Sequence, residues 1–482
     1  MIWDAVVIGS GIGGLSCAGA LAARGRKVLV LEQASSPGGY LSSFRRADFV
    51  FDSAVDCIAG MDPDGLLTWL LRSLGVDKEI QSVRLDPIRW SRFPGGEVRV
   101  DADLKAYIER LCGMFPSERT GILSHFRRME EIFSDIEREL QSVREDDGRP
   151  RTFPASFARY GNATYSELLK EEIADRRLAA ILSDRCPFLG ISPERVSAIR
   201  MSTLVMSYFR SGAYRPIGGH QRLADVIVKG IRGKGGVLQT GKLVRKILVE
   251  RGRCTGVETE CGELYRCRHV VSNAAARETF SRLLSDTPEG RPAGGTANRP
   301  LSPSFFILYL GVRDEFFIPG GASSIGSFES YDLASMLNRY VPFRDSASLG
   351  ITIPSLDDPS LAPPGHHVVL VHELVPQGFD EDWNSRKEML AKKVLEMSEK
   401  VLPGIARGVV CSDAATPATL ERFTRNSGGA AFGWEHTPGF HKTATHIPNL
   451  HMAGHWGEVG GGVLASAYTG VRAAVRIVEV DR

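Results

Sequence analysis

The stretch of chain from residue 5 to residue 32 constrains the fold more than any other. An apolar run at 5–8 precedes a glycine-rich turn, a helix start made of small residues, and a second apolar run at 28–31. This glycine spacing lets the backbone approach a pyrophosphate at a helix N-terminus. The turn consists of Gly9, Ser10, Gly11, Ile12, Gly13 and Gly14. Glu32 closes the second run, where it can accept hydrogen bonds from a ribose hydroxyl. The order predicts a doubly wound, Rossmann-type α/β domain that binds a dinucleotide.

A second pair of glycines, Gly38 and Gly39, indicates which dinucleotide is bound. Glycines here bring the backbone close to the ligand again, beyond its adenosine. A nicotinamide cofactor gives no evident need for this approach, whereas the ribityl chain of FAD runs on in that direction. No second glycine fingerprint stands between a strand and a helix, so no nicotinamide domain is predicted. The sequence therefore favours FAD. Its electrons would pass to oxygen, a quinone or another protein, unless the reaction has no net redox change.

Four segments, spread over nearly the whole chain, carry a resemblance to a known family. They are the N-terminal turn with Gly38 and Gly39, residues 49–54, a Pro-x-Gly-Gly element at 216–219 that opens a helix, and the C-terminal residues 451–456 and 460–463. The chain resembles the FAD-dependent phytoene desaturases and carotenoid isomerases, a family that includes the retinol saturase-like proteins. The resemblance implies FAD as the cofactor and a long apolar substrate tunnel that is entered from a membrane surface.

The fingerprint and the resemblance together give an expected set of cofactor contacts. Beyond the first turn, the expected residues are Glu32, Gln33, Gly38, Gly39, Ser43, Val244, Asn273, Gly454, Gly461, Gly462 and Val463. In the family, the backbone near the position of Val244 lies against the adenine. Asn273 ends an apolar strand that resembles the strand returning to the cofactor.

The last glycine cluster precedes a helix that is expected to run to residue 478. Its three consecutive glycines, at 460–462, would place free N–H groups where the flavin pyrimidine sits. The dipole of the following helix would stabilise negative charge on the reduced flavin. A glycine-rich turn that only starts a helix is the competing interpretation. His455 stands where many FAD proteins have an aspartate, and Glu458 is an unexpected carboxylate close to the expected flavin position.

Three residues are candidates for catalysis, namely Glu458, His455 and Asp56. Glu458 has three interpretations of equal weight: an acid or base, a partner of the ribityl chain, or a solvent-facing residue. A desolvated glutamate would have a raised pKa suited to proton transfer. Asp56 follows the apolar segment 49–54, and a structural cap competes there with a catalytic base.

Composition and charge exclude several classes of protein. The formal net charge of +2 argues against nucleic acid as a partner. The eight cysteines form no CxxC pair, so neither a zinc site nor a disulfide framework is indicated. Five histidines, at 436, 441, 446, 451 and 455, are interrupted by prolines, so they are interpreted as loop residues and no metal is predicted. No apolar run is long enough to span a bilayer. The protein is expected to be cytoplasmic, with peripheral contact at the inner face of the membrane left open.

The cofactor domain is predicted to be discontinuous, with pieces at 1–75, 215–285 and 411–482. An inserted substrate domain of mixed α+β type would comprise residues 76–214 and 286–410. One predicted helix of that domain carries apolar residues that could line a tunnel, although a core helix explains them equally well. These residues are Leu204, Val205, Met206, Tyr208 and Phe209.

These features predict an FAD-dependent oxidoreductase, a desaturase or isomerase that acts on a polyene or isoprenoid-like apolar substrate by hydride transfer to flavin. The alternative is a flavin oxidase of an amine, an amino acid or a natural-product intermediate, with Phe432, Trp434 and Trp456 as aromatic residues facing the flavin. A third interpretation is a non-enzymatic prenyl-binding protein of the GDP-dissociation-inhibitor type. The intact glycines and Glu32 argue against it.

Overall fold

A computed structural model of the chain describes residues 1–145, 155–286, 299–343, 348–379, 382–439 and 445–482. Its strands are β1 (Ile2–Ile8), β2 (Val28–Leu31), β3 (Ser43–Arg46), β4 (Phe49–Asp52), β5 (Ser82–Arg84), β6 (Arg89–Phe93), β7 (Gly96–Val100), β8 (Tyr214–Pro216), β9 (Val237–Gln239), β10 (Val244–Glu250), β11 (Arg253–Thr259), β12 (Leu264–Ser272), β13 (Ser304–Arg313), β14 (Ser324–Ser327), β15 (Leu349–Thr352), β16 (His366–Val375), β17 (Val409–Ala415) and β18 (Leu450–Met452). Its helices are α1 (Ile12–Ala23), α2 (Leu66–Leu74), α3 (Leu104–Met114), α4 (Arg119–Glu145), α5 (Ala155–Tyr160), α6 (Tyr165–Lys170), α7 (Arg176–Leu182), α8 (Cys186–Leu189), α9 (Ala198–Arg210), α10 (Gln221–Gly233), α11 (Ala276–Glu278), α12 (Leu333–Asn338), α13 (Trp383–Glu399), α14 (Ile405–Gly408), α15 (Pro417–Thr424) and α16 (Val463–Val480).

The first sheet has the strand order β10-β11-β12-β1-β2-β9, and β18 also pairs with β12. Its centre is parallel, because β1 lies between β12 and β2 and β9 continues on the far side of β2. The second half of β1 and all of β2 are buried, as expected of parallel strands that are covered on both faces. The doubly wound α/β fold predicted from the N-terminal turn is confirmed.

Alternate residues of β1 enter two separate cores. Ala5 and Val7 pack with residues of α1, α2, α10 and α16 on one face of the sheet. Val6 and Ile8 pack on the other face, in a core that includes residues of β10 and β11 and the Trp456 ring. Successive strand residues point to opposite faces, so one short apolar run serves both layers. The central strands are thereby held rigidly, with the glycine turn at their C-terminal edge.

The second sheet has the order β17-β13-β16-β15-β14-β6-β7. Only the β14–β6 pair is parallel, and the other pairs are antiparallel. One face packs on α13 and α14, and the other packs partly on β4. The strand β17 spans residues 409–415, so the domain boundary predicted at residue 411 falls inside a strand of this sheet. The segment assigned to the second unit therefore extends to 415.

A layer of helices, α3 to α9, forms a third core beside the second sheet. Local signals start these helices. At α6, for example, Thr164 and Glu167 form a capping box that satisfies two backbone N–H groups. The chain then returns to the first unit through β8, which pairs with β5. Among the described helices, none is long and apolar enough to cross a lipid bilayer.

Candidate functional site

A single large cavity is lined by both sheets, by the starts of α1 and α16, and by α8 and α9. Its empty space is about 2170 Å³, including the open mouth. Its lining residues extend from the first glycine turn to α8 and α9. We call the part beside the first sheet the cofactor end and the part between the second sheet and α8–α9 the substrate arm.

The first glycine turn lies at the cofactor end, and Gly9, Gly11, Ile12 and Gly13 line the cavity. A Cβ atom at Gly11 would lie 2.9 Å from Asn273 Nδ2, and one at Gly13 would overlap the backbone of Gly454. Any side chain here would therefore collide with the strand end that returns at Asn273 or with the C-terminal segment. Gly14 does not line the cavity. A Cβ at that position would overlap the carbonyl oxygen of Gly9, so this glycine permits close packing between turn and helix.

The helices α1 and α16 begin side by side at this end of the cavity. Gly11 and Gly462 are their N-cap residues, and neither helix start has a side-chain cap. The first N–H groups of both helices are therefore available to a ligand. The two helices approach closely because Gly470 of α16 packs on the carbonyl group of Gly13, where a Cβ would overlap it. Gly470 was not anticipated from the sequence, since a glycine inside a helix carries no local signal of its partner.

Glu32 has a fixed position at the cofactor end. Its Oε2 accepts hydrogen bonds from the N–H (2.8 Å) and the hydroxyl (2.6 Å) of Ser10, and its Oε1 accepts one from the N–H of Ala34 (2.8 Å). The two lone-pair sites of Oε2 are thus occupied, and the second site of Oε1 can still accept a bond from a ribose. Ser10 itself is fully buried and does not line the cavity. It positions Glu32.

Gly38 and Gly39 lie across the first turn. The N–H of Gly38 donates to the carbonyl of Ser10 (3.1 Å), and a Cβ at Gly39 would lie 3.2 Å from the Cα of Gly11. The backbone thus approaches the cavity a second time, as the glycine pair suggested. Ser43 is different. Its hydroxyl donates to Asp52 Oδ1 (2.5 Å) and it does not line the cavity, so the sequence-based assignment of Ser43 as a cofactor contact is not supported.

The cofactor end is also lined by Gln33, Val244 and Asn273, together with three basic residues that the sequence did not suggest. Gln33 Oε1 accepts a hydrogen bond from Arg425 (2.6 Å), and the carbonyl of Val244 accepts one from Arg282 (3.2 Å). The basic residues are Lys242, Arg282 and Arg425. They come from three distant segments, so no local motif could have identified them.

The C-terminal residues Gly454, Gly461, Gly462 and Val463 all line the cavity, as expected. The N–H of Gly461 donates to Nε2 of His436 (3.0 Å). Burial lowers the pKa of His436 to about 3, so the ring is a neutral acceptor near pH 7. The sequence placed His436 in a loop without a role. In the structure it holds the loop that precedes α16.

His455 lines the cavity, and its Nε2 lies 3.2 Å from Asn426 Oδ1. The indole N–H of Trp456 donates to the same oxygen (2.8 Å), which therefore acts as an acceptor for both rings. Burial lowers the pKa of His455 to about 4. The imidazole is thus neutral near pH 7 and cannot act as a cationic acid there. Trp456 and Trp434 lie in the core, whereas Phe432 lines the cavity.

Glu458 is not a cavity residue. Its carboxylate pairs with Arg476 (2.9 Å) and Arg472 (3.2 Å), both on α16. Two arginines favour its charged form, which is the opposite of the desolvated acid that proton transfer would need. The predicted roles as acid or base and as ribityl partner are therefore not supported. Glu458 instead connects the loop before α16 to the second half of that helix.

Asp56 lines the cavity as a member of an ion pair. Its carboxylate pairs with Arg215, and the Ser324 hydroxyl donates to it (2.7 Å). Burial by itself would raise the pKa of Asp56, but the charge of Arg215 and the hydrogen bonds outweigh it and the pKa is lowered. Asp56 is therefore an anion near neutral pH. It is neither a helix cap nor a base of raised pKa.

The substrate arm has mostly apolar walls. They are formed by Phe188, Leu189, Leu204, Tyr208, Ile307 and Ile351. Two of the five residues proposed for a tunnel, Leu204 and Tyr208, therefore reach the cavity. Met206 and Phe209 are buried in the helical core instead. Within the described residues there is no group of three or more side chains that could hold a metal ion, and His441 lies outside them.

The model of the family described as flavin containing amine oxidoreductases matches residues 12–478. The chain belongs to this family. Its cofactor is FAD, and it is an FAD-dependent oxidoreductase. The family assignment agrees with the glycine cradle and the two open helix starts, and it leaves no ground for a non-enzymatic prenyl-binding protein.

Several curated relatives match nearly the whole flavoprotein. Prolycopene isomerase of Daucus carota is 28% identical over 98% of this chain and 80% of its own length. The neurosporene-forming phytoene desaturase of Cereibacter sphaeroides is 29% identical, with 95% and 91% covered, and the all-trans-retinol 13,14-reductase of Macaca fascicularis is 26% identical, with 94% and 82% covered. The resemblance inferred from four segments is confirmed.

Solved structures of the same fold include an oxidoreductase from Methanosarcina mazei, with a TM-score of 0.65, 19% identity and coverage of 97% of this chain and 99% of that one. Putrescine oxidase bound to putrescine gives a TM-score of 0.62 at 13% identity, with 99% of each chain covered. At this level of identity, these structures show the shared fold of the flavoprotein and not its substrate.

Proposed function

We propose that this flavoprotein is a desaturase or isomerase of a polyene or isoprenoid-like apolar substrate. The observation that carries the proposal is the substrate arm, an apolar continuation of the cofactor end between the second sheet and α8–α9. Its walls, from α8, α9 and the second sheet, are mostly carbon surface, which suits a hydrocarbon better than a small polar molecule. The curated relatives named for carotenoid and retinoid reactions support the same class of substrate.

We also propose the contacts that hold the cofactor. The N–H groups at the start of α1 would receive the pyrophosphate, Glu32 a ribose, and the backbone at Val244 the adenine. The start of α16, including Gly462 and Val463, would face the flavin. When bound, FAD accepts a hydride or returns it. The chain contributes position and electrostatics, because the positive end of the α16 dipole stabilises negative charge beside it.

The remaining polar groups at the site position the ligand and do not transfer protons. His455 is a neutral donor or acceptor that Asn426 holds in place, and Asp56 is occupied by Arg215. The apolar walls of the arm exclude water from the reacting carbon chain. This arrangement suits removal of hydrogen from, or its return to, an unactivated carbon chain, with the acceptor for electrons being oxygen or a quinone.

The alternative is a flavin oxidase of an amine, an amino acid or a biosynthetic intermediate. Phe432 favours it, since this aromatic ring lines the cavity, as Tyr40 and His455 do. Against it stands the charge of the arm. The cavity carboxylate Asp56 is neutralised by Arg215, and Arg89 adds a buried positive charge, so an ammonium group would be repelled.

We further propose that the enzyme works in the cytoplasm and meets a membrane only at its surface, because a polyene substrate partitions into lipid. Phe423 supports a surface contact, since it lines the cavity and is 64% exposed. Flotation of the FAD-loaded protein with liposomes, with and without Phe423→Ser, tests the contact. Equal recovery of both proteins in the lipid-free fraction would contradict it.

Anaerobic bleaching of the bound flavin at about 450 nm tests the reaction class. One panel would contain carotenoid precursors and retinoids, and the other amines and amino acids. Bleaching by polyenes alone is expected. Gly350 lines the arm, and a Cβ there meets only the Cβ of His372, at 3.6 Å. Gly350→Leu should therefore block polyene bleaching while flavin content is kept, and the exposed Gly113→Leu should change neither. Bleaching by amines would move the enzyme to the oxidase class.

A further inference from the structure

Two buried arginines lie where the substrate arm meets the helical layer. Arg89 begins β6 and lines the cavity, although only 2% of its surface is exposed. Arg185, on the loop before α8, is 4% exposed. Both guanidinium groups lie over the ring of Phe188, at 4.7 Å for Arg89 and 5.2 Å for Arg185. Arginine is seldom buried in this way without a partner, because its cation loses hydration.

The protein supplies too little negative charge to these two arginines. Asp184 is the carboxylate between them, at 3.7 Å from Arg89 Nε and 3.8 Å from Arg185 Nε. Both distances exceed that of a hydrogen bond. The Oδ2 atom of Asp184 accepts instead from the hydroxyl of Ser91 (2.5 Å). One loosely placed carboxylate therefore faces two buried cations.

The other carboxylates nearby belong to a third arginine. Arg215 pairs with both Asp56 and Asp357, which gives that group a surplus of negative charge. Asp56 attracts Arg89 through space but makes no ion pair with it. The six charged groups balance as a whole, while the half that faces the arm at Arg89 is positive. The group therefore has a positive side at Arg89 and Arg185 and a negative side at Arg215 with its two carboxylates.

Hydrogen-bond donors at Arg89 are also unsatisfied. Its buried Nε has no hydrogen-bond partner in the described structure, and neither has Nη1 of Arg185. Burial lowers the pKa of Arg89 to about 10, so the group remains a cation near pH 7. Gly326 leaves the space for it, because a Cβ there would overlap the guanidinium group. A buried donor without an acceptor is destabilising, and a ligand that supplies an acceptor would relieve this.

A second polar atom lies in the same region. His372 lines the cavity, and its buried Nε2 has no hydrogen-bond partner among the described residues. Burial lowers the pKa of His372, and the charge of Arg89 lowers it further, so the ring is neutral. The surrounding walls are the apolar residues of the arm. Beside the Asp56–Arg215 ion pair, Arg89 and His372 therefore give the arm one cationic donor and one neutral polar atom.

We propose that the substrate is an amphipathic acid, an unsaturated hydrocarbon chain that carries a carboxylate, and that Arg89 receives this carboxylate. The inference rests on the proposed function for the hydrocarbon part and adds the charged group. A planar guanidinium forms paired hydrogen bonds with a carboxylate, and such bonds are strong in a buried site. The carboxylate would fix how far the chain enters the arm. Arg89 is then a specificity-determining residue, one that sets which carbon reaches the cofactor end.

Matched acids and esters test this proposal on the FAD-loaded protein. The probes are all-trans-retinoic acid with its methyl ester, followed through the flavin absorbance, and oleic acid with methyl oleate, followed by equilibrium dialysis. Wild-type protein should bind each acid at least about 10-fold more tightly than its ester. Arg89→Gln should weaken acid binding about 10- to 100-fold and leave ester binding within about twofold. Arg89→Lys, which keeps the charge, should retain part of the preference.

The control is Arg92→Gln, on the same strand but on its other face, where the side chain is 40% exposed. It should leave all four affinities unchanged. Equal affinity for acids and esters, or equal weakening of both by Arg89→Gln, would overturn the carboxylate site. Loss of FAD from a folded Arg89→Gln protein would assign Arg89 to the cofactor and overturn it as well. If Arg89→Gln does not fold, the comparison rests on Arg89→Lys.

The two proposals fail separately. Oleic acid contains no polyene, so its binding tests the carboxylate site alone. If the preference for acids depends on Arg89 but no polyene bleaches the flavin, the carboxylate site is kept and the polyene reaction is rejected. Bleaching by polyenes without any acid preference would keep the reaction and remove the site.

Discussion

The cofactor end and the substrate arm of the cavity are built from different parts of the chain. The cofactor end is made of backbone, namely glycines and the open N-termini of α1 and α16. The arm is made of side chains from β6, α8, α9 and the second sheet, which are distant in sequence. At the cofactor end the open donors are backbone N–H groups at two helix starts, and the carboxylate of Glu32 is held by Ser10 and Ala34. In the arm the groups without a hydrogen-bond partner are side-chain atoms, Arg89 Nε and His372 Nε2. Backbone groups are the same for any side-chain sequence, whereas the side chains of the arm select the ligand.

Gly11→Trp should break the cofactor end completely, with the largest effect of any single change outside the arm. A side chain there would occupy the path to the first N–H groups of α1 and press on Asn273. Flavin absorbance per protein after gel filtration should fall to near zero, with the far-ultraviolet circular dichroism retained. The exposed Gly113→Trp is the control. Normal flavin content in Gly11→Trp would contradict the assignment of the turn.

Glu32→Ala should weaken FAD binding about 10- to 100-fold without abolishing it, because a charged acceptor is lost while the backbone cradle remains. Titration of the apoprotein with FAD, followed by quenching of flavin fluorescence, gives the dissociation constant. Ser10→Ala should have a smaller effect, since Ser10 acts only by holding Glu32. An effect of Ser10→Ala that equals that of Glu32→Ala would assign a direct contact to the serine.

Glu373, on β16 of the second sheet, is a further buried side chain with an atom that has no hydrogen-bond partner among the described residues. Its Oε1 accepts from Tyr340 and from the N–H of Phe343 (2.9 Å), while its buried Oε2 has no partner among the described residues. Burial raises the pKa of Glu373 to about 7. A raised pKa means that the folded state holds the proton more tightly. This stabilisation is complete below the ordinary pKa of glutamate and is lost as pH rises through about 7.

Glu373→Gln should therefore raise Tm by a few degrees at about pH 8.5 and change it little at about pH 5. Differential scanning calorimetry of the FAD-loaded protein measures both values. The amide mimics the protonated acid and needs no counter-charge. The matched control is Glu399→Gln, whose carboxylate accepts from the N–H groups of Gly404 and Ala406, which lower its pKa, and it should show no such gain at high pH. A Tm difference for Glu373→Gln that is independent of pH would contradict the raised pKa.

Glu458→Gln should have the smallest effect. The ion pairs with Arg472 and Arg476 are partly exposed, so their loss should cost less than about 1 kcal/mol of stability. The variant should reduce its flavin at the same rate as wild-type protein at every pH, because the carboxylate does not reach the cavity. A shift in the pH profile of the reduction rate would restore the catalytic role that the sequence suggested.

The same division explains what the sequence could predict. Glycine turns, capping and buried parallel strands are local patterns, so the Rossmann-type unit and the identity of the cofactor followed from short segments. Most of the backbone positions expected to contact the cofactor line the cavity. The surroundings of Ser43, Glu458 and Arg89 consist of side chains that only the fold brings to them. Ser43 donates to Asp52 across the β3–β4 pair, and Glu458 pairs with Arg472 and Arg476 of the following helix. Arg89 begins an ordinary strand, and only the fold reveals that its guanidinium group is buried with the carboxylate of Asp184 at 3.7 Å.

The packing of Gly470 on Gly13 has a consequence for how the protein is made. The glycine turn leaves the ribosome before α16, and the helix that completes the binding site for FAD is translated only after several hundred further residues. At about 5–20 residues per second, the interval between the turn and α16 is roughly 20 to 90 seconds. During that interval the nascent first unit has an exposed helix-binding groove along α1 and no complete place for its cofactor. The complete FAD site therefore forms only after α16 has been translated and has packed on α1.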